Sequence, residues 1–176
     1  MVACAAACTP IPASQRPAML PPGLYGVYED NDTGAINQSA WAFASPANLR
    51  NNPVDAIKAV IALEYLPAEL RQNPRWVGMD RAIPTRMDQA RAQVEQILGI
   101  NPNAPRQLVV NALVAAAWDL QTGNQQAAMQ ALRSPVFTLP PERTLAILSD
   151  LPYVQEANLA TSRALAQSFP GDGPRS

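Results

Sequence analysis

The sequence predicts an all-α protein, an irregular bundle of about six short helices that follows a proline-rich N-terminal arm. Apolar residues recur at helical spacing over most of the 176 residues, and many of the 18 prolines stand where helices begin or end. Strand-like alternation is short and rare. A hydrophobic fraction of 48% indicates a folded chain, although alanine, which fills little core volume, contributes much of it.

Both cysteines of the chain lie in its first eight residues. Residues 1–8 read Met-Val-Ala-Cys-Ala-Ala-Ala-Cys, and the chain contains no histidine that could complete a zinc site with them. A disulfide between Cys4 and Cys8 would close so small a loop that it would add little stability. We therefore expect neither a structural metal site nor a structural disulfide here.

This segment resembles the end of a bacterial lipoprotein signal, in which small residues precede the cysteine that receives the lipid. Ala5-Ala6-Ala7-Cys8 matches better than Met1-Val2-Ala3-Cys4, so Cys8 is the expected lipidation site and Cys4 the alternative. No leucine stands three residues before Cys8, and no charged or long apolar segment precedes it, so the rest of such a signal would have to lie upstream of Met1.

The resemblance implies where in the cell the protein is located. Residues 1–8 would be the remnant of a signal with its lipidation site, and the protein would be attached to the outer membrane of a bacterial envelope, facing the periplasm. The alternative is a cytoplasmic protein with an alanine-rich terminus. The longest apolar run of the chain is too short to cross a bilayer, so the predicted membrane contact is the lipid anchor alone.

Residues 9–35 are predicted to form a proline-rich tether. Five prolines fall between residues 9 and 24, where they disfavour helix and inner strand and favour extended conformations. The alternation over residues 24–28 is too short for a sheet, and we expect it to lay Tyr25 and Tyr28 onto the helical body. The helical domain is predicted over residues 36–169, with a disordered tail over residues 170–176.

The first helices of this domain are predicted from their capping residues and apolar stripes. Asn52-Pro53 supplies a cap and a proline at the first helical position, and Pro67 is expected to end that helix. Thr85 to Asp88 looks like a capping box for the next helix, which should end at Gly99 with a left-handed residue.

The third predicted helix follows Pro105 and is apolar nearly all round from Leu108 to Trp118, so we expect it at the centre of the core. Gly123-Asn124 should end it and cap a short helix over residues 125–133. Two further helices are expected from Pro141 to about Leu151 and from Pro152 to about residue 169.

Residues 111–132 resemble a tetratricopeptide-type helix hairpin. The match rests on small residues at Ala116 and Ala128, a turn at Gly123, Leu132 at an aromatic position and Pro135 soon after. The segment lacks the usual aromatic residue of the first helix, and no clear second copy follows at the 34-residue period of that family. An irregular helical bundle is the favoured interpretation, and a repeat protein is the alternative.

Several kinds of chemistry are excluded by composition. The absence of histidine removes the usual general base and every Ser-His-Asp device, and the scattered glycines form no phosphate-binding loop. The remaining catalytic device is a pair of carboxylates, as in glycan hydrolysis. Glu64, Glu69 and Asp119 are the candidates, but pairing of the glutamates with Arg71 or Arg75 is the favoured interpretation.

Positive and negative charges nearly balance in total, but they are unevenly distributed along the sequence. The net charge of -1 argues against a nucleic-acid binder. Five arginines but only two aspartates fall between residues 71 and 91. The favoured interpretation is that these arginines pair with carboxylates and fix a long connector, and the alternative is a patch that binds a carboxylate, a phosphate, lipid headgroups or a protein partner. The residues of this candidate patch are Arg71, Arg75, Trp76, Arg81 and Arg86.

These observations lead to one functional expectation. We expect an envelope-anchored helical lipoprotein that acts as a binding or assembly module with a protein partner, without catalysis, cofactor or metal. A histidine-free carboxylate enzyme that cleaves glycans and a cytoplasmic helical adaptor are the alternatives. The cluster Trp41-Ala42-Phe43 is expected to plug the end of the bundle, with a docking surface as the alternative.

Overall fold

The structure of the protein is a computed structural model, which describes residues 17–27 and 29–168. Over these residues it contains eight α-helices and no strand, which confirms the all-α class. A short 3-10 turn, Pro74–Trp76, lies between the third and fourth helices. The helices are α1 Asn31–Ala44, α2 Pro46–Leu49, α3 Pro53–Gln72, α4 Ala82–Leu98, α5 Arg106–Gln121, α6 Gln125–Ala131, α7 Pro141–Ser149 and α8 Gln155–Ser168.

Helix α3 is the centre of the bundle. Every residue from Ala59 to Ala68 is buried, and the helix packs against α1, α4, α5 and α7. The expectation that the helix around Leu108 to Trp118 would be central is wrong. That helix is α5, and the side chains at both ends of this stretch are about half exposed, because α3 covers only one side of it.

Two predicted helix boundaries are also wrong. Helix α3 does not end at Pro67 but continues to Gln72. Proline removes a single backbone donor, and the buried residues on either side of Pro67, Leu66 and Ala68, hold the helix together by packing. Local sequence reasoning overestimates the effect of a proline that tertiary contacts support.

The predicted capping box at Thr85 does not form either. Helix α4 begins at Ala82, and its first N–H donates to Asp80 Oδ1 at 2.8 Å. The Thr85 hydroxyl instead donates back to the carbonyl of Arg81 at 3.2 Å, as threonine does inside a helix. Pro84 fits in this first turn because an N–H there has no partner within the helix.

The predicted glycine and asparagine signals are confirmed. Gly99 ends α4 with φ of 66°, in the left-handed region. Gly123 has φ of 77°, and Asn124 Oδ1 accepts from the N–H of Ala127 to cap α6. Helices α5 and α6 pack as a hairpin in which Ala116 and Ala128 are fully buried. The repeat-family resemblance of this hairpin stays a prediction.

The folded body includes part of the predicted tether. Helix α1 begins at Asn31, before the predicted start of the domain, and Ala18 and Leu24 are buried against the core. Tyr25 packs onto the body as expected, and its hydroxyl donates to the carbonyl of Lys58 at 3.0 Å. The predicted tether of residues 9–35 therefore gives way to folded structure from residue 17 onward. Tyr28, the lipoprotein-like residues 1–8, residues 9–16 of the predicted tether and the predicted tail lie outside the described residues.

The cluster at Trp41 divides between two environments. Ala42 and Phe43 are buried, so this part of the cluster closes the bundle as expected. Trp41 points outward and is 45% exposed. No helix among the described residues combines the length and the apolar character needed to cross a bilayer.

Replacing Gly34 with alanine should undock the N-terminal segment without unfolding the bundle. A methyl group at Gly34 would collide with the Cβ atom of Tyr25, whereas alanine is favoured over glycine inside a helix by about 1 kcal/mol. We expect faster chymotrypsin cleavage after Leu24 and Tyr25 at an unchanged helical circular dichroism signal. Gly78→Ala is the matched control because a methyl group there meets open space. An unchanged cleavage rate for Gly34→Ala would contradict this account of the docking.

Candidate functional site

The sequence-predicted arginine patch coincides with an open groove at the α3–α4 connector, which we call the connector groove. Its volume is about 510 Å³. Leu70, Trp76 and Met79 supply apolar surface, while Arg71 and Arg81 supply positive charge. None of the described residues that line it is acidic. The groove therefore offers an apolar floor beside two guanidinium groups.

The two arginines of the groove differ in how far they are already paired. Arg71 contacts Asp88 through Nη1 and Oδ2 at 2.5 Å, and its side chain remains 40% exposed. Arg81 is exposed, and no carboxylate in the described part of the chain lies within 4.0 Å of it. Arg81 is therefore the better placed of the two to bind an external anion.

The other two arginines of the predicted patch act in ion pairs between helices. Arg75 contacts Asp30, the residue that caps α1, at 2.9 Å, and Arg86 contacts Glu156 of α8 at 3.1 Å. The N–H of Thr33, together with Arg75, lowers the pKa of Asp30 to about 2. The Arg75 contact fixes the connector, as the favoured interpretation predicts, whereas the Arg86 contact joins α4 to α8. Of the predicted patch, Arg71, Trp76 and Arg81 line the groove.

The floor of the connector groove is fixed by a buried aspartate that sequence reasoning missed. Asp32 lies in the first turn of α1 and accepts hydrogen bonds from Trp76 Nε1, at 3.1 Å, and from the Tyr65 hydroxyl. Arg75 covers the Trp76 ring from outside, with its guanidinium carbon 4.7 Å from the ring centroid. Acidic residues are common in the first turn of a helix, so the sequence could not predict that Asp32 is buried and accepts hydrogen bonds from Tyr65 and Trp76.

A second group of charges lies inside the bundle, where α3, α4 and α5 meet. We call Glu64, Arg91, Glu95 and Arg106 the buried charge cluster. Arg91 Nη1 is 2.6 Å from Glu95 Oε1 and 3.9 Å from Glu64 Oε2, and Arg106 Nη2 is 3.4 Å from Asp88 Oδ1. Both carboxyl oxygens of Glu64 and two of the three guanidinium nitrogens of Arg106 are buried and have no hydrogen-bond partner among the described residues.

Burial dominates the protonation of Glu64. The residue is 1% exposed, and this burial, together with the negative charge of Glu95, raises the pKa of Glu64 to about 8. Arg91 opposes the shift but lies too far away to cancel it. Glu64 is therefore mainly protonated near neutral pH. Its position in the apolar stretch Ala59–Ala68 was the sequence signal for such a shift.

The structure does not place any two of Glu64, Glu69 and Asp119 as a pair of catalytic carboxylates. The carboxylate next to Glu64 is Glu95, and Glu69 instead accepts a hydrogen bond from Asn73 at 2.5 Å. Asp119 is half-buried near the end of α5. The favoured pairing of Glu64 with Arg71 or Arg75 is wrong as well, because α4 packs over this face of α3 and brings Arg91 to it.

The described residues contain no group of three or more acids or cysteines arranged to hold a metal ion. No protein-family model, curated protein or solved structure matches this chain. Its chemistry must therefore be argued from its own residues. An external partner could reach the connector groove, whereas the buried charge cluster is largely closed off from solvent.

Proposed function

We propose that this protein is an envelope-anchored helical module that binds an acidic segment of a partner protein through the connector groove and catalyses no reaction. The observation that carries the proposal is the groove itself, in which exposed Arg81 and partly paired Arg71 flank an apolar floor without an acidic lining residue. Carboxylates fit the planar guanidinium fork, and arginine and tryptophan are frequent at the energetic centres of protein interfaces.

The rigidity of the groove supports this proposal. The indole of Trp76 donates a hydrogen bond to Asp32 and is covered on one face by the Arg75 guanidinium, so little side-chain entropy should be lost when a partner binds. Val77, at the rim, is 85% exposed and offers an apolar contact that water surrounds in the isolated protein. An acidic segment that carries one apolar side chain matches both features.

The groove is tested by placing a photo-crosslinking amino acid at Val77 in cells and identifying the captured protein. Arg81→Glu should then weaken binding of that protein at least tenfold, since reversal of an interface arginine removes its ion pair and adds repulsion. Arg163→Glu is the matched control, because Arg163 is exposed on α8 and is not among the described residues that line the groove. Equal binding by the Arg81→Glu variant and the wild type would contradict the assignment.

The anchor is tested separately by labelling cells with a fatty-acid analogue. The lipoprotein resemblance of residues 5–8 predicts that Cys8→Ser abolishes the label and that Cys4→Ser preserves it. Loss of label only in the Cys4→Ser variant would move the anchor to Cys4. Absence of label in the wild type would favour the cytoplasmic adaptor, for which the binding role of the connector groove would still hold.

We assign no catalytic step to the protein. Glu64 has the raised pKa that a general acid needs, but a glycan could not reach a carboxyl group that is 1% exposed. The glycan-cleaving alternative also needs a second carboxylate across an accessible cleft, whereas Glu95 is buried beside Glu64. No observation among the described residues favours that alternative over a binding role.

A further inference from the structure

Helix α5 presents an uncharged stripe to the outside of the bundle. Leu108, Asn111, Ala115 and Trp118 follow one another at helical spacing, which places them on one face. Leu108 is 51% exposed and Trp118 is 49% exposed. A tryptophan and a leucine displayed on one uncharged face form a surface of the kind that a partner or a membrane interface covers.

The N-terminal segment joins the folded body on this same face. Met19 exchanges two hydrogen bonds with Gln107 of α5, donating its N–H at 2.7 Å and accepting from Nε2 at 3.0 Å. The Met19 side chain is 80% exposed. Residues 19–21 form one wall of a shallow groove of about 400 Å³ whose other wall includes Ala115 and Trp118. Met19 therefore extends the apolar stripe of α5.

The position of Cys8 limits how far this face can lie from an anchoring lipid. Nine peptide units separate Cys8 from Pro17, where the described structure begins. At no more than about 3.6 Å for each unit, Pro17 lies within roughly 32 Å of Cys8, and Met19, two units further along the chain, lies within roughly 40 Å. An anchor at Cys8 therefore keeps Met19, and the face of α5 that it contacts, within reach of the bilayer surface.

We propose that Met19, Leu108 and Trp118 rest on the surface of the bilayer when Cys8 is anchored, so that α5 faces the membrane. The inference rests on the lipid anchor of the proposed function. Tryptophan favours the membrane interface because its ring is apolar and its N–H is polar, and leucine and methionine add apolar area. The stripe itself carries no charge, and Asp119 at its edge is half-buried, so the attraction is to the interface rather than to anionic lipid.

The test attaches the lipid chemically, so that it does not depend on lipidation in cells. The full chain with Cys4→Ser, which leaves Cys8 as its single thiol, is coupled to a maleimide lipid in phosphatidylcholine vesicles that contain brominated acyl chains. Bromine quenches tryptophans that reach the interface. We expect quenching in this protein, retention of quenching in Trp41→Phe and its loss in Trp118→Phe.

Trp41 is a matched control because it is 45% exposed, close to the 49% of Trp118, but lies on α1. Trp76 is buried and common to all variants. Absent quenching, or equal quenching in the two variants, would overturn membrane docking while leaving the fatty-acid labelling result untouched. A dimer of the uncoupled protein that dissociates on Trp118→Glu substitution would also overturn it, because the stripe would then bind a second copy.

Discussion

Replacing Glu64 with glutamine should remove most of the loss in stability that the wild-type protein shows as the pH rises from about 5 to about 9. The pKa of Glu64 is about 8 in the folded state, against an ordinary value of 4.5. Below the ordinary value the carboxyl group is protonated in both states and adds no pH dependence to the stability. Between the two values the unfolded chain releases the proton while the folded protein keeps it, so stability falls with rising pH.

The size of this effect follows from the same linkage. One titrating group changes the free energy of unfolding by at most about 1.4 kcal/mol per pH unit, so a loss on the order of 4 kcal/mol is expected between about pH 5 and about pH 9. Glutamine keeps the shape of the protonated acid but cannot ionise. Urea unfolding of wild type and Glu64→Gln at several pH values measures the difference.

The composition of the chain simplifies the interpretation of this experiment. The chain contains no histidine, the residue that most often titrates in this range. Glu142→Gln is the control, because it removes an exposed carboxylate at the start of α7 and should leave the wild-type pH profile unchanged. A Glu64→Gln profile as steep as that of the wild type would show that Glu64 is ionised and stabilised by Arg91 in the folded protein.

The parts of the fold that the sequence predicted are those determined by neighbours in the chain. Gly99 and Gly123 end helices, and Asn124 caps one, because each acts on backbone groups within a few residues. The errors have long-range causes. Packing of the buried residues around Pro67 carries α3 past its expected end, and the apolar composition of α5 could not reveal which of its faces α3 leaves uncovered.

The candidate site shows the same division. The surplus of arginine between residues 71 and 91 drew attention to the segment in which the connector groove lies, and three residues of the predicted patch, Arg71, Trp76 and Arg81, line that groove. It could not show that Arg75 and Arg86 pair with Asp30 and Glu156, because those carboxylates belong to helices far along the chain. Burial of Glu64 was predictable from its apolar neighbours, but its position beside Glu95 depends on how α4 crosses α3.

Replacing Gly99 with alanine should destabilise the protein by about 3 kcal/mol. Gly99 has φ of 66°, a conformation that costs a residue with a Cβ atom roughly 1–2 kcal/mol. The added Cβ would also lie 2.5 Å from Leu139 Cγ and 2.9 Å from the Thr138 hydroxyl oxygen. Relief of this overlap requires movement of a packed segment, which commonly costs a further 1–3 kcal/mol or so.

The segment cannot move without losing hydrogen bonds. The N–H and the hydroxyl of Thr138 both donate to the Gly99 carbonyl, at 2.7 and 2.9 Å, and fasten the α6–α7 connector to the end of α4. Gly123→Ala isolates the backbone cost, because Gly123 has φ of 77° and a methyl group there meets nothing within 4 Å. Urea unfolding should therefore give a loss for Gly99→Ala about twice that for Gly123→Ala or more. Equal losses would mean that Leu139 swings away from the added methyl group at little cost.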